Sequence, residues 1–231
     1  MDLTDAQWAV LEPTFRPRRR PDGRGRPWTD PRAVMNGVLW VLRTGAPWHD
    51  LPSRYPPYQT CHRRFQLWQR SGRLDRLLQR LAEDLRDRGK IDLSDAFVDA
   101  ICDRGGLPIA VHVASASPYE PHLVPATLDA RFLPDLPWCL IGDRGYDSDG
   151  LDDLLMTQYG IEMIAANRRG RAKTQDGRPL RGAKRRWKIE RLFAWLHNCR
   201  RVVTRWERHV GNYLGMVQLA CARILLRAFM R

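Results

Sequence analysis

None of the five cysteines (Cys61, Cys102, Cys139, Cys199 and Cys221) stands in a C-x-x-C pair. Their scatter argues against a zinc site, and a disulfide framework is hard to support in a chain of 231 residues. A long apolar run is missing too. The most apolar stretch, Tyr213 to Met230, is broken by Gln218, Arg223 and Arg227, which excludes reading it as a membrane span. The opening Met1-Asp2-Leu3-Thr4-Asp5 is acidic and helix-like rather than a secretory leader, so a reduced, cytoplasmic setting is expected. Lysine is scarce. Arginine supplies nearly all of the positive charge, and its planar fork suits phosphates and guanine edges better than an ammonium does. No internal repeat is present.

What is present is a strong and uneven charge. The formal net charge is +13, and 43% of residues are hydrophobic, enough for a core. Residues 1–90 carry 18 basic and 10 acidic side chains, residues 91–165 carry 3 and 13, and residues 166–231 carry 18 and 3. An acidic centre between basic flanks fits a protein that grips phosphates at its edges and holds divalent metal between them. A uniformly basic binding module would not be distributed this way.

The first part reads as helices. Thr4 and Gln7 form a capping-box pattern, with Leu3 and Trp8 at the staple positions, for a helix running to about Thr14. The segment from Arg16 to Pro27 contains Arg18, Arg19, Arg20, Arg24 and Arg26 among prolines and glycines; it cannot pack and reads as a basic DNA-binding arm. Thr29 or Asp30 followed by Pro31 starts a second helix that Gly45 ends. After a proline-rich bend, a helix from Gln59 to Arg70 is expected to bury Cys61, Phe65, Leu67 and Trp68. It would present Arg63, Arg64 and Arg70 outward. Gly72 stops it, and a fourth helix follows from Leu74 to about Arg88. A bend followed by an arginine-studded helix is what a helix-turn-helix reader needs to enter a major groove, although a small bundle with solvated arginines has the same pattern.

From Ile91 the texture becomes strand-like: Ala96–Asp99, extending through Cys102; Leu107–Ala114; Trp138–Asp143; and Ile161–Ala165. Helices are expected near Glu120–Leu128, Gly150–Gln158, Lys184–Asn198 and Glu207–Ala228. The expected class is α+β: an all-α domain over residues 1–90, then a mixed-sheet α/β core over 91–231.

Asp99 and Asp143 each close an apolar strand-like run, the position where open sheets place their sites. Glu190 is the only acid between Asp176 and Glu207. Two strand-end aspartates and one helical glutamate are a minimal cage for two Mg²⁺ ions acting on a phosphodiester. Taken singly, each has a plainer explanation: a strand-end acid is often a turn former, and Glu190 can pair with Arg186 one turn back. Asp95 and Asp103 are alternatives for the first acid. His112 and His122 lie near the acidic centre, but lone histidines are more often structural, and they are left out of the site.

The segments Leu3–Trp8 and Gly45-Ala46-Pro47-Trp48-His49-Asp50-Leu51-Pro52, the strand and turn Leu140-Ile141-Gly142-Asp143-Arg144-Gly145-Tyr146-Asp147-Ser148, and Arg186-x-x-x-Glu190 with Arg191–Leu196 carry a family likeness. Together they resemble the IS5-type group (IS4/IS5 superfamily) of bacterial insertion-sequence DDE transposases, over nearly the whole length. The resemblance implies an RNase H-like core with Asp99, Asp143 and Glu190 as catalytic, metal-binding triad for Mg²⁺ or Mn²⁺. It also implies nicking at element ends followed by attack of the freed 3′-hydroxyl on target DNA. Double-stranded DNA, both terminal repeats and target, is the implied partner, bound by a homo-oligomer at the bacterial nucleoid. Arg185, Arg186 and Lys188 are expected to join the DNA-binding residues above. Where the family signature carries a tyrosine and a lysine around the glutamate, this chain has Ala183 and His197. Asp99 is followed at once by Ala100-Ile101-Cys102-Asp103-Arg104-Gly105-Gly106-Leu107-Pro108, so the first two strands are expected to be fused, as after an in-frame deletion. A fused run cannot be both partners of an antiparallel pair, and the sheet would then lose a strand. The alternatives are an inactive remnant that only binds DNA and a metal nuclease without strand transfer.

Overall fold

The computed structural model describes residues 2–16, 28–98, 100–115, 117–168 and 187–231. It divides into two compact units, Met1–Leu81 with Leu196–Arg231, and Ala82–Trp195. By packing, the C-terminal helix therefore groups with the N-terminal helices, whereas the sequence places residues 91–231 together.

The first unit is helical. Helix α1 (Asp5–Phe15) opens on a complete capping box: the Gln7 N–H donates to Thr4 Oγ1 at 3.2 Å, and the Thr4 N–H donates to Gln7 Oε1 at 3.0 Å. Helix α2 (Pro31–Thr44) is capped by Asp30, whose carboxylate accepts the Arg32 and Ala33 N–H groups, and ends at Gly45 with φ 72°. A single 3-10 turn (Trp48–Asp50) leads to α3 (Tyr58–Arg70), then α4 (Arg73–Asp87). Phe15 and Trp68 pack with ring centroids 4.7 Å apart. Leu67 is a correction: it is 46% exposed, because Cys61, Phe65 and Trp68 already fill the buried stripe at three- and four-residue spacing.

The chain returns to this unit at the end of α7 (Trp187–His197), then α8 (Arg200–Val203) and α9 (Val210–Phe229). Helix α9 is buried on nearly all sides. Two of the polar residues that break its apolar run find partners: Gln218 donates to Asp75 at 2.5 Å, and Arg223 to Cys199 Sγ at 3.3 Å. Among the described residues no helix is long and apolar enough to cross a membrane. A helix was expected to start at Glu207. Instead Glu207 turns inward and pairs with buried Arg201 at 2.8 Å, so α9 begins three residues later. Arg201 also donates to the carbonyls of Gly45 and Ala46, and Glu207 accepts the Trp48 indole N–H.

The second unit holds a four-stranded sheet in the order β2-β1-β3-β4, with β1 Ala96–Phe97, β2 Cys102–Asp103, β3 Cys139–Ile141 and β4 Glu162–Ile164. Strand β1 pairs antiparallel with β2 and parallel with β3, and β3 is parallel to β4 through α6 (Asp149–Tyr159). Helix α5 (Val124–Asp129) follows a 3-10 turn (Glu120–Leu123). N-terminal helices followed along the chain by a mixed sheet are the expected α+β class. The expected fusion of the first two strands is corrected: the run folds back on itself, pairing Ala96 with Asp103 and Phe97 with Cys102. The strand expected at Leu107–Ala114 is corrected as well. It forms only isolated bridges, Cys102 with Pro108 and Ala110 with Arg131, since Pro108 has no N–H to extend a ladder.

Asp103 holds that hairpin closed. Its fully buried carboxylate accepts the Asp92 N–H at 3.0 Å and the Leu107 N–H at 2.6 Å. Burial pushes its pKa up to about 6, against the pull of these backbone donors.

Two outcomes follow from these buried groups. Replacing Glu207 by Ala strands the Arg201 charge and should cost about 3–5 kcal/mol in urea denaturation; the pair Arg201→Met with Glu207→Leu should recover most of it. For Asp103, the folded pKa lies above the unfolded value of about 4, so the native state holds the extra proton between about pH 4 and 6. Stability should fall as pH rises through that window, by on the order of 3 kcal/mol in all. Denaturation midpoints of Asp103→Asn, compared with the unaltered chain from pH 4 to 7, should lack this component.

Candidate active site

The candidate site lies at the carboxyl ends of β1 and β3. Phe97 aligns with Ile141, and beyond that pair the Val98 N–H still donates to the Ile141 carbonyl at 3.1 Å. Gly142 follows, its N–H on the Ile164 carbonyl. A Cβ at Gly142 would sit 2.5 Å from the Met163 methyl and 2.9 Å from Tyr146, so only glycine lets the strand pass into the turn here.

Asp143 then caps the 3-10 turn Arg144–Tyr146, one carboxylate oxygen accepting the Gly145 N–H at 2.6 Å. A Cβ at Gly145 would lie 2.8 Å from that same oxygen, which explains the second glycine of the motif. From outside, Arg168 clamps the turn. Its Nε donates to the Arg144 carbonyl at 3.0 Å and its Nη2 to the Gly145 carbonyl at 2.5 Å, while its backbone N–H donates to buried Asp147 at 2.8 Å. Tyr119 adds an O–H bond to the Gly145 carbonyl at 2.7 Å, under the Arg168 guanidinium.

Asp143 lines a cleft of about 470 Å³ together with Val98, His112, Glu120, Thr127 and Phe193. Glu190 is exposed on α7, three residues before Phe193 and so on the same stripe of that helix. The other side of α7 is tied to the β2 turn: Lys188 donates to the Arg104 carbonyl and Arg191 to the Gly105 carbonyl. Arg191 also lies 4.9 Å from the ring centres of both Trp187 and Trp195.

Of the residues singled out in the sequence, Asp143 is at the cleft and Glu190 is on the helix beside it. Asp99 lies outside the described residues, as do Arg18, Arg19, Arg20, Arg24, Arg26, Arg185 and Arg186. The alternative first acids are engaged elsewhere: Asp103 in the hairpin, and Asp95 with Arg104 at 3.4 Å. Lys188 is half-buried against the Arg104 carbonyl. Arg63 is exposed on α3, and Arg64 lies 3.7 Å above the Trp28 ring. Glu120, Thr127, Tyr119 and Arg168 were missed. Arg168 sits in a basic stretch where nothing in the sequence separates a clamp from a phosphate contact. His112, set aside as structural, lines the cleft. The cysteines are all free and buried, and burial pushes the thiols of Cys102 and Cys221 up to about 12, so neither of these two is a ready nucleophile.

Replacing Arg168 by Ala removes two side-chain bonds to the Asp143 turn. Amide exchange at residues 144–147 should accelerate about tenfold to a hundredfold, while the α9 amides keep their protection. Unchanged exchange in the turn would show that Arg168 does not brace it.

Residues 3–78 match the family described as "Putative transposase of IS4/5 family", and residues 98–225 match the family "Transposase DDE domain". Among curated proteins, the chain is 39% identical over 102 residues to an uncharacterized 16.2 kDa protein of insertion element IS402 from Burkholderia cepacia. That match covers 42% of this chain and 69% of the relative. It is 31% identical over 134 residues to the "Putative transposase for insertion sequence element IS402" of the same organism, covering 54% and 59%. It is 37% identical over 82 residues to the uncharacterized protein y4sN of Sinorhizobium fredii, covering 36% and 64%. The chain thus spans less than two thirds of the latter two. No solved structure matches it. With a DDE domain matched over more than half its length behind an IS4/5-type front, the chain belongs to the IS4/5 family of DDE transposases.

Proposed function

We propose that this chain binds the ends of an insertion element and cuts and rejoins DNA there by metal-dependent phosphoryl transfer, with Asp99, Asp143 and Glu190 as its carboxylates. The observation that carries this reading is the β1–β3 register. Phe97 pairs with Ile141; two residues further along the sequence stand Asp99 and Asp143 respectively. Parallel strands that end together deliver strand-end acids to one edge of the sheet, where open sheets bind ligands. Glu190 belongs to the helix that lends Phe193 to the same cleft.

Carboxylate oxygens on a solvent-open cleft suit a hard divalent ion such as Mg²⁺ or Mn²⁺. Among the described residues no three acid, histidine or cysteine side chains group closely enough to hold a metal, so the set depends on Asp99 as its third member. Metal bound by these acids would supply activation of the attacking oxygen and charge neutralisation on the leaving one. The chain's own part is positioning. The Gly142 and Gly145 packing, the Arg168 clamp and the Tyr119 hydroxyl fix Asp143 at the strand end. Arginines of the helical front and of the basic segments hold DNA phosphates, so that the scissile bond meets those acids. Assembly as a homo-oligomer on double-stranded DNA accompanies this reading.

A second reading is a transposase remnant that occupies element ends without cutting. The two-residue length of β1 and β2 favours it, since so short a hairpin offers few ladder bonds to hold the first acid.

The deciding assay is Mn²⁺-dependent nicking of a duplex carrying the element's terminal repeats, with binding followed in the same sample. Asp143→Asn should bring nicking to background and leave duplex affinity within about twofold, because an exchange of carboxylate for amide leaves the phosphate-contacting arginines in place. Nicking retained by that variant would remove Asp143 from the chemistry. Binding without nicking by the unaltered chain would favour the remnant.

A further inference from the structure

The corner joining α8 to α9 carries an unusual surface. Val203, Trp206 and Val210 are 55%, 59% and 51% exposed within a short stretch. Arg200, Arg205 and Arg208 are exposed among them, and His209 adjoins. The one acid of the stretch, Glu207, is withdrawn into the buried pair with Arg201. The outward face from residue 200 to 210 is therefore cationic and apolar, with no carboxylate of its own to neutralise it.

This corner is braced from within. Arg201 ties it to the Gly45 and Ala46 carbonyls at 3.2 and 3.1 Å, Tyr213 donates to the Val202 carbonyl at 2.9 Å, and Arg205 donates to the Glu207 carbonyl while lying over the Tyr213 ring. A tryptophan held out into water on a fixed support, in a stretch that also exposes three arginines, is prepared to meet a partner at little ordering cost. The charge says which partner. A two-fold contact with a second copy would set these arginines against themselves. A polyanion with flat, partly apolar edges satisfies both features at once.

We propose that residues 200–210 form a duplex-DNA contact surface, in which Arg200 and Arg208 neutralise backbone phosphates and the Trp206 ring packs against the sugar or base edge between them. This rests on the reading of the chain as a DNA-binding transposase, and adds a site later in the sequence than the glutamate helix to those expected in the N-terminal part.

The test is fluorescence anisotropy of a labelled mixed-sequence duplex with the full chain, across a KCl titration. The double variant Arg200→Gln with Arg208→Gln should lower the slope of log K against log[salt] by about 2. Trp206→Ala should weaken binding about tenfold at fixed salt and leave the slope unchanged. All three side chains are exposed, so the variants should melt with the unaltered chain. Wild-type slope and affinity in both would overturn the proposal. So would a Trp206→Ala variant that binds DNA normally but changes sedimentation, which would make the corner a contact between copies. Variant-dependent binding by a chain that never nicks would leave this surface standing while the catalytic reading fell; no duplex binding at all would remove both.

Discussion

The parallel pairing of β1 with β3 is the constraint on which the candidate site depends. Among the described residues the two strands share two residue pairs, with the Val98 N–H on the Ile141 carbonyl beyond them and the Trp138 N–H on the Leu93 carbonyl before them. So short an interface holds its register only because neighbouring groups fix it from both sides. On one side, buried Asp103 closes the β1–β2 hairpin by gathering backbone N–H groups. On the other, β3 and β4 pair over three residues, and Gly142 admits the Met163 methyl against its backbone. A one-residue slip of either strand would turn buried side chains outward, so packing and register enforce each other.

In the proposed reading, the turn after β3 is where that rigidity serves the chemistry. A carboxylate that caps its own turn is held at a defined angle, and Arg168 with Tyr119 fixes the carbonyls on the turn's outer side. Positioning of this kind matters for phosphoryl transfer, in which little is asked of the protein beyond placing oxygens. The helical unit shows the same economy. Its buried ion pair ties the residues after α2 to the segment before α9, and in doing so removes the only acid from an otherwise cationic corner. Since replacing such a pair by apolar groups is often neutral for stability, its retention is better explained by what it does to the surface than by the energy it adds.

Local chemistry made much of this legible in the sequence. Thr4 with Gln7, Asp30 with Pro31, and Gly45 each act within one turn of the chain, where residue type dictates hydrogen bonding directly. The Gly142-Asp143-x-Gly145 pattern was legible for a similar reason, its two glycines and one acid interacting within four residues. What stayed hidden was nonlocal. The run from Ala96 to Cys102 reads as one strand by its apolar content; its folding back depends on Asp103, whose carboxylate gathers the Asp92 N–H from 11 residues away as well as the nearby Leu107 N–H. Leu67 looks like core until α3 has its partners on one stripe. Arg168 is one arginine among many, and its role exists only once the Asp143 turn stands beside it.

The acidic centre that first suggested a metal site is explained in good part by other means, and this narrows the chemistry. Asp103 and Asp147 are buried on backbone N–H groups, Asp92 and Asp95 face Arg104, Asp135 pairs with Arg86, and Asp129 accepts the Tyr159 hydroxyl. Net charge over a segment thus overstated the acids available to a cation, since each of these is committed to holding strands, turns or helix ends. Among the described carboxylates, Asp143 and Glu120 are the ones on the cleft wall. Asp143 leaves a strand at the sheet's carboxyl edge, while Glu120 stands on a 3-10 turn with no strand behind it. A group that must hold an oxygen to within a fraction of an ångström is better carried by the strand than by the turn. That difference in support, more than the density of negative charge, is what favours Asp143 over Glu120 in the proposed carboxylate set.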